Sequence, residues 1–398
     1  MVAASWRVWG GLAVTTTLLT LGSPVESAEW SMEPSLAIRG EYNSNLLLTS
    51  LAHDETWGHW VSPGLKFAGS TENLEVSGKA AADFVSYYGG IDRSLTNLYF
   101  PLALRYQAAR ETFSFDGGFT RDNTLMGELR QTGVVLSFTQ RNLWNLTPSW
   151  THNFTERFAL QAGYQYSDAT YEDGVRLGLV DYTIHGGSAG LLYQPSELDQ
   201  VRLTGSYTNF HAPQAGDLRS EIYSGQLAFT HNFSESLSVT LGGGPSFVRS
   251  TIGPGEFRQS DRQLVWVGNA VLRKKWEDAV IQLDVAREIF PSGFGLLLQT
   301  DRVGLSVSKD LSERWTVALA GSVLLASSIT TVAGGVSFPQ NRYINVTPQV
   351  TWRPSQYWAV SAAYGYSHRQ VESFNETAFG NLATVTVTYF PVKWTVGR

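Results

Sequence analysis

The stretch Asn142–Glu172 reads NLWNLTPSWTHNFTERFALQAGYQYSDATYE and has the pattern of two strands joined by a tight turn. Apolar or aromatic residues occupy every second position from Phe158 to Tyr166, and small or polar residues lie between them. A helix cannot make this period of two amphipathic. The first half alternates in the same way from Trp144 to Trp150, and Thr155–Arg157 join the two halves. The pattern predicts a β-hairpin with aromatic residues near its ends.

Similar short turns recur along the chain at intervals of about 36 to 45 residues, close to the length of two membrane-spanning strands with a turn and a loop. Each contains a glutamate or its equivalent: Glu72, Glu111, Glu156, Glu197, Glu235, Glu277, Glu313 and Gln356. The links between successive hairpins are longer. Short links on one side and long links on the other are typical of a barrel whose turns face the periplasm.

From residue 35 onward the sequence therefore predicts an all-β fold. We expect a closed antiparallel transmembrane β-barrel of about 18 strands, with 16 as the alternative, short periplasmic turns and longer extracellular loops. Pro63, Pro148 and Pro348 stand at about the same distance before three of the turns. Because proline cannot donate to a strand ladder, these residues predict bulges at one height of the sheet.

The composition favours an exported barrel over a soluble protein. Charged residues make up 16% of the 398-residue chain and aromatic residues 13%. Residues 1–28 resemble a secretory signal, with Arg7 before an apolar stretch from Val8 to Leu21 and small residues at Ser27 and Ala28. We divide the chain into a signal peptide at 1–28, an outer-membrane barrel at 29–390 and a short C-terminal tail at 391–398.

Composition also excludes some kinds of chemistry. The chain has no cysteine, which excludes disulfides and thiolate ligands or nucleophiles. Its formal net charge of −6 gives no support for nucleic-acid binding. The seven histidines are scattered without the close spacing of a zinc pair, and we interpret His152 and His231, each before an Asn-Phe turn, as interfacial residues. We predict no catalytic, cofactor-binding or metal site, and expect outer-membrane lipid as a partner.

Charged residues on the inferred inner face are the candidate lumen lining. They are Arg39, Glu41, Lys66, Glu75, Lys79, Asp83, Arg105, Asp116, Arg202, Asp284 and Arg302. They would line a passage for a polar polymer and set its charge preference. The alternative, which the mixed charges favour, is that they pair across the wall and keep the lumen hydrated.

Four short motifs carry a resemblance to a known family. They are Glu41–Asn45 (EYNSN), Val61–Leu65 (VSPGL), Arg121–Thr124 (RDNT) and Pro291–Gly295 (PSGFG). With them the chain resembles the outer-membrane β-barrel family associated with exopolysaccharide production and exosortase systems of Gram-negative bacteria. The resemblance implies a porin-like barrel linked to polysaccharide assembly or export, with polysaccharide and polysaccharide-export proteins as partners.

We therefore predict a porin-like channel or export barrel in the cell outer membrane, linked to exopolysaccharide assembly or secretion. Two alternatives remain open. One is an outer-membrane enzyme that hydrolyses lipid or polymer, because a catalytic triad assembles in space and leaves no fixed spacing. The other is a structural barrel that conducts nothing.

Overall fold

The computed structural model describes residues 29–135, 138–253, 259–329, 338, 340–372 and 376–397. The predicted signal peptide lies outside the described residues. No helix in the described part of the chain is long and apolar enough to cross a membrane.

Eighteen long antiparallel strands form a closed barrel, as the alternation predicts. Each pairs with its neighbours in sequence, and β18 pairs with β1 to close the wall. The strands are β1 Glu29–Asn43, β2 Thr56–Ser70, β3 Leu74–Gly89, β4 Arg93–Gln107, β5 Glu111–Asn123, β6 Gln140–Asn153, β7 Phe158–Tyr171, β8 Tyr182–Tyr193, β9 Asp199–Ala212, β10 Leu218–Ser234, β11 Leu237–Ile252, β12 Gln259–Lys275, β13 Ala279–Pro291, β14 Leu297–Ser312, β15 Trp315–Ser328, β16 Asn341–Ser355, β17 Trp358–Val371 and β18 Glu376–Tyr389.

The C-terminal tail adds a short nineteenth strand to the wall. This strand, β19 at Trp394–Gly397, pairs with the beginning of β1 from Glu29↔Gly397 to Met32↔Trp394. The β1–β18 ladder starts further along, at Leu36↔Tyr389. In the interval between the two ladders, Lys393 Nζ lies 2.8 Å from Glu33 Oε1. The tail therefore completes the closing border of the barrel on the side of the short turns.

The outer face of the wall is apolar. Large exposed side chains alternate with polar or small ones along each strand, as in β12, where Leu264 and Trp266 are 51% and 63% exposed. The opposite face contacts the loop segments that enter the barrel and is therefore the inner face. An apolar belt of this kind is suited to contact with lipid, and closure of the sheet pairs the strand edges.

Short turns join the strands at one end, which we call the short-turn end, and longer links at the other, the long-loop end. One residue that was predicted to lie in a turn lies in a strand. Glu111 is the first residue of β5, and the turn comprises residues 108–110. Cross-strand pairing with His152 extends β5 to that residue.

The predicted bulges at the strand prolines are wrong. The β2–β3 register is the same on both sides of Pro63, from Val61↔Phe84 to Gly64↔Ala81, with two pairs missing between them. Pro148 and Pro348 interrupt the following ladder in the same way, without a shift. Each proline lacks an N–H, so the ladder loses bonds locally but no residue is inserted.

Candidate functional site

Loop residues pack into the long-loop half of the lumen. Buried apolar residues from the inner face pack there against described residues of the segments 44–55, 124–139 and 292–296 and against Ile329 and Phe338. Trp60, Val85 and Tyr87 of the wall, for example, form one cluster with Leu46 and Phe138 of two different loops. Burial of each large apolar side chain contributes about 1.5–3 kcal/mol. The described residues of these loops are therefore held inside the barrel by hydrophobic packing.

The largest of these segments, which we call the plug, is the loop Thr124–Thr139, described at 124–135 and 138–139. The Asn123 side chain accepts hydrogen bonds from the backbone N–H groups of Leu125 and Met126 at 3.1 and 3.2 Å and so starts a helical turn. A π-helical turn at Leu125–Leu129 continues into a single α-helical turn at Arg130–Thr132.

The plug reaches from β5 and β6 to β16. The Asn341 Nδ2 of β16 donates to the Thr132 carbonyl at 2.9 Å, and both groups are buried. Gly133 ends the helical turn at φ 75°, and a Cβ there would lie 2.7 Å from Tyr343 Cβ. Only glycine satisfies both the left-handed backbone and this close approach.

A buried polar cluster fixes the root of the plug to the wall. Arg141 Nε donates to Asp122 Oδ1 at 3.0 Å and Nη2 to Asp122 Oδ2 at 2.7 Å, across neighbouring strands β6 and β5. Arg141 Nη1 lies 3.9 Å from Glu128 Oε1 on the plug, and the Tyr171 hydroxyl donates to the same oxygen. At Gly127 a Cβ would lie 2.6 Å from Arg141 Cζ, so the helical turn lies directly on the guanidinium.

Glu128 is the plug residue whose charge state responds to this environment. Its side chain is 2% exposed, and its Oε2 has no hydrogen-bond partner among the described residues. Burial raises the pKa of the Glu128 carboxyl, and the Tyr171 hydrogen bond and Arg141 charge partly offset that effect. The inserted position of the plug is therefore more stable when Glu128 is protonated than when it is ionised.

Three of the four family-like motifs lie where loops turn into the lumen. In the first, Asn45 Nδ2 donates to the carbonyls of Thr49 at 2.8 Å and of Phe379 at 3.2 Å, which holds buried Leu46 and Leu48 in place. Arg121–Thr124 supplies Asp122 and Asn123, whose hydrogen bonds are described above. The sequence indicated only that these motifs lie at strand ends. It did not indicate that they hold loops inside the barrel.

The short-turn half of the lumen is polar and contains open cavities. Glu75, Arg105 and Asp116 line one cavity of about 540 Å³. Lys66, Lys79 and Asp116 line another of about 530 Å³. Opposite charges lie side by side there, as in the ladder pair Glu75↔Arg105.

The remaining predicted lining residues are distributed around the wall. Arg39 Nη2 bonds Glu41 Oε2 at 2.9 Å, and its guanidinium lies 3.5 Å from the centre of the Trp60 ring, which places this pair beneath the packed loops. Arg302 Nε lies 3.7 Å from Asp284 Oδ2. In the ladders Asp83 faces Asn97, and Arg202 faces Ala228. The role of all eleven residues in conduction stays a prediction. The sequence did not predict that Glu128, Arg141 and Tyr171 form a group at the root of the plug.

Two histidines lie at the short-turn end beside aromatic rings. His152 Nδ1 is 2.6 Å from Glu111 Oε1, and His231 Nδ1 is 2.7 Å from Asp199 Oδ1. Phe154 and Phe233 cover the two imidazoles at ring-centre distances of 4.6 and 4.3 Å. This arrangement suits an interfacial anchor. Across the described ranges, no three His, Asp or Glu side chains form a group that could hold a metal ion.

A closed barrel with an apolar outer belt and a polar inner face places the protein in a cell outer membrane. Comparison with protein-family models and with curated proteins gives no match. Among solved structures, OccK5 (OpdH) of Pseudomonas aeruginosa is 11% identical, covers 91% of this chain and 98% of its own, and has a TM-score of 0.46. OccK7 (OpdD) of the same organism is 12% identical with coverages of 93% and 99% and a TM-score of 0.46. OccAB4 of Acinetobacter baumannii is 9% identical with coverages of 94% and 100% and a TM-score of 0.45. At these identities and TM-scores the likeness adds nothing to what the barrel itself shows.

Proposed function

We propose that the protein is a porin-like channel of the outer membrane whose extracellular end is gated by the plug. The observation that supports this proposal is the division of the lumen. The short-turn half of the lumen is polar, with mixed charges and open cavities. Loops close the long-loop half, where apolar packing and one buried polar cluster hold them. Polar solutes would enter the hydrated half freely and pass the other half when the plug moves.

The plug can be removed without disturbing the strands that carry it. The Thr124 N–H donates to the Thr139 carbonyl at 3.0 Å, so the two ends of the loop are already adjacent. Replacing residues 125–138 by two glycines would therefore keep β5 and β6 in register. Deletion of residues 52–54, which are exposed and belong to another long link, is the matched control.

Liposome swelling tests the channel. We expect small neutral sugars to enter slowly through the wild type and the control, and rapidly through the plug-replacement variant. Larger oligosaccharides should enter only through the plug-replacement variant. If correctly folded protein of all three kinds admits no solute, the channel proposal fails and the non-conducting barrel remains.

We propose further that the solute is a carbohydrate linked to extracellular polysaccharide. Besides the four motifs, hydroxyl groups support this assignment, because they pair across the inner face and suit hydrogen bonding to sugars. Ser224 lies 2.7 Å from Ser246, and Thr351 lies 3.0 Å from Ser361. Loss of extracellular polysaccharide after deletion of the gene in its host would support the carbohydrate assignment. Unchanged polysaccharide would count against it and leave the channel intact.

A further inference from the structure

The short-turn end carries the same group of side chains on two different strand pairs. The sequence HNFTE, which begins at His152, recurs as HNFSE, which begins at His231. Each of these histidines lies directly opposite a carboxylate on the preceding strand, in the ladder pairs Glu111↔His152 of β5–β6 and Asp199↔His231 of β9–β10. We call each histidine with its opposing carboxylate a dyad.

Both dyads lie on the outer face of the wall. Every second side chain of a strand points to the same face. His152 belongs to the alternating set of Trp144, which is 49% exposed, and His231 belongs to the set of Tyr223, which is 50% exposed. Both histidines stand near the ends of their strands, next to the short turns. The dyads therefore lie where the apolar belt meets the lipid headgroups of the leaflet at the short-turn end.

The polar contacts of the two dyads match. Imidazole Nδ1 lies 2.6 Å from Glu111 Oε1 in one dyad and 2.7 Å from Asp199 Oδ1 in the other. The second oxygen of each carboxylate accepts a hydrogen bond from Trp150 Nε1 and from the Ser196 hydroxyl, respectively. Because an ionised carboxylate can only accept, the proton in the dyad belongs to Nδ1, and a neutral imidazole leaves Nε2 as an acceptor. Each dyad then presents acceptors and one negative charge.

Aromatic rings flank both imidazoles along the strand. Trp150 and Phe154 lie on either side of the first imidazole, with ring centres at 5.9 and 4.6 Å from its own. Phe229 and Phe233 lie on either side of the second, at 6.3 and 4.3 Å. The faces of aromatic rings attract cations that approach within about 6 Å. The rings and the carboxylate of each dyad therefore favour the same sign of charge in a ligand.

The next strand adds an apolar side chain to each group. His152 is paired with Leu160 of β7, and His231 is paired with Val239 of β11. A carboxylate among apolar side chains interacts more strongly with a cation than it does in water, because the surrounding dielectric constant is lower. These surroundings suit an organic cation that is attached to hydrocarbon.

We propose that each dyad binds the primary ammonium headgroup of a phospholipid in the leaflet at the short-turn end. A primary ammonium group has three N–H donors, which match imidazole Nε2 and the carboxylate oxygens. The flanking rings add a cation–π attraction, and the acyl chains lie along the apolar outer face. The barrel thus holds two lipids of this kind, one at each dyad.

Native mass spectrometry of the purified protein in detergent counts the lipids that stay bound. The probes are phosphatidylethanolamine and phosphatidylcholine with the same acyl chains, because the trimethylammonium group of phosphatidylcholine is a cation without an N–H donor. We expect the wild type to retain two molecules of phosphatidylethanolamine and fewer of phosphatidylcholine.

Substitution of each carboxylate tests the two dyads separately. Glu111→Gln and Asp199→Asn keep an oxygen that accepts from Nδ1 and remove the charge, so each variant should retain one phosphatidylethanolamine and the double variant none. The matched controls are Glu156→Gln and Glu235→Gln. They remove the exposed turn glutamates of the same two sequence motifs, outside the dyads, and should leave two lipids bound.

Two results would overturn the ammonium site. One is equal retention of the two lipids by the wild type. The other is a loss of lipid from the turn-glutamate controls as large as that from E111Q and D199N. If E111Q fails to fold, His152→Phe keeps a ring at that position, removes the acceptor nitrogen and should also lose one lipid. Because lipid retention is measured without solute flux, failure of this proposal and failure of the channel proposal are distinguishable.

Discussion

Arg141 and Asp122 form a two-pronged ion pair across strands β6 and β5, with side chains only 5% and 9% exposed, directly beneath the helical turn that carries Glu128. A bidentate carboxylate satisfies most of the guanidinium, and the pair therefore tolerates burial. The same guanidinium faces Glu128 at 3.9 Å. The stability of the barrel wall and the position of the plug therefore both depend on Arg141.

Replacing Asp122 by asparagine should destabilise the barrel strongly, because it leaves a buried guanidinium with its nearest charge 3.9 Å away. We expect the free energy of unfolding to fall by about 3–5 kcal/mol. Asp284→Asn is the matched control. It removes a carboxylate from the Arg302 pair, whose side chains are 28% and 51% exposed, and should cost less than about 1 kcal/mol. Urea unfolding of both variants in detergent measures the two changes in unfolding free energy. Equal decreases would show that the buried Arg141–Asp122 pair stabilises the barrel no more than the exposed Arg302–Asp284 pair does.

Channel opening should increase with pH. Burial places the pKa of Glu128 above that of the unfolded chain, about 4.3. The stabilisation associated with the protonated carboxyl is complete below that unfolded value and is lost as pH rises through the higher folded one. Ionised Glu128 would be buried near the Asp122 carboxylate, and the Tyr171 hydroxyl, the Arg141 charge and the Gly293 N–H only partly offset that cost.

The Glu128→Gln variant separates this effect from other titrations, because glutamine keeps the shape and cannot ionise. Open probability recorded in planar bilayers between about pH 4 and about pH 8 should rise in the wild type and stay flat in E128Q. A rise of the same size in both proteins would assign the pH response to another group.

Gly133→Ala should loosen the plug without changing the wall. The left-handed backbone and the contact with Tyr343 would together cost about 1–3 kcal/mol. Gly205→Ala is the control, since a Cβ there meets no atom of the described residues within 4 Å. We expect faster protease cleavage within 124–139 in G133A and unchanged cleavage in G205A. Equal resistance of the two variants would mean that the plug does not need this close approach.

Deletion of residues 391–398 should weaken the closing border but not abolish the barrel. The truncated chain keeps the β1–β18 ladder from Leu36↔Tyr389 to Asn43↔Leu382 and loses β19 with the Lys393–Glu33 ion pair. We expect the temperature at which the folded band disappears in gel electrophoresis to fall. Lys393→Gln, which removes only the exposed pair, should change it little. A truncated protein that never folds would show that the tail is required for assembly.

The wall was predictable from sequence and the plug was not. Alternation from Phe158 to Tyr166 fixes which side chains face lipid, because strand geometry has a strict period of two. The same local rule carries no information about a loop that packs against a distant strand. Thr132 and Asn341 meet across 209 positions of the chain. One signal was present, however: Leu46–Leu48 and Phe294–Leu296 are apolar where exposed loops are usually polar.

The strand prolines show the opposite error. Pro63 correctly marked a loss of ladder bonds, but the bulge does not follow, because a proline can stay in register when the missing N–H faces only one neighbour. Register depends on both adjacent strands, and the sequence of one strand does not reveal it.

Single-channel conductance of the wild type and of the variant with residues 125–138 replaced by two glycines tests the gated channel most directly. At the pH where Glu128 is protonated, we expect a wild type that is mostly closed with brief openings and a variant that is continuously open with a larger conductance. The same closed trace from both proteins, or full conductance from both, would contradict the assignment of the plug as the gate.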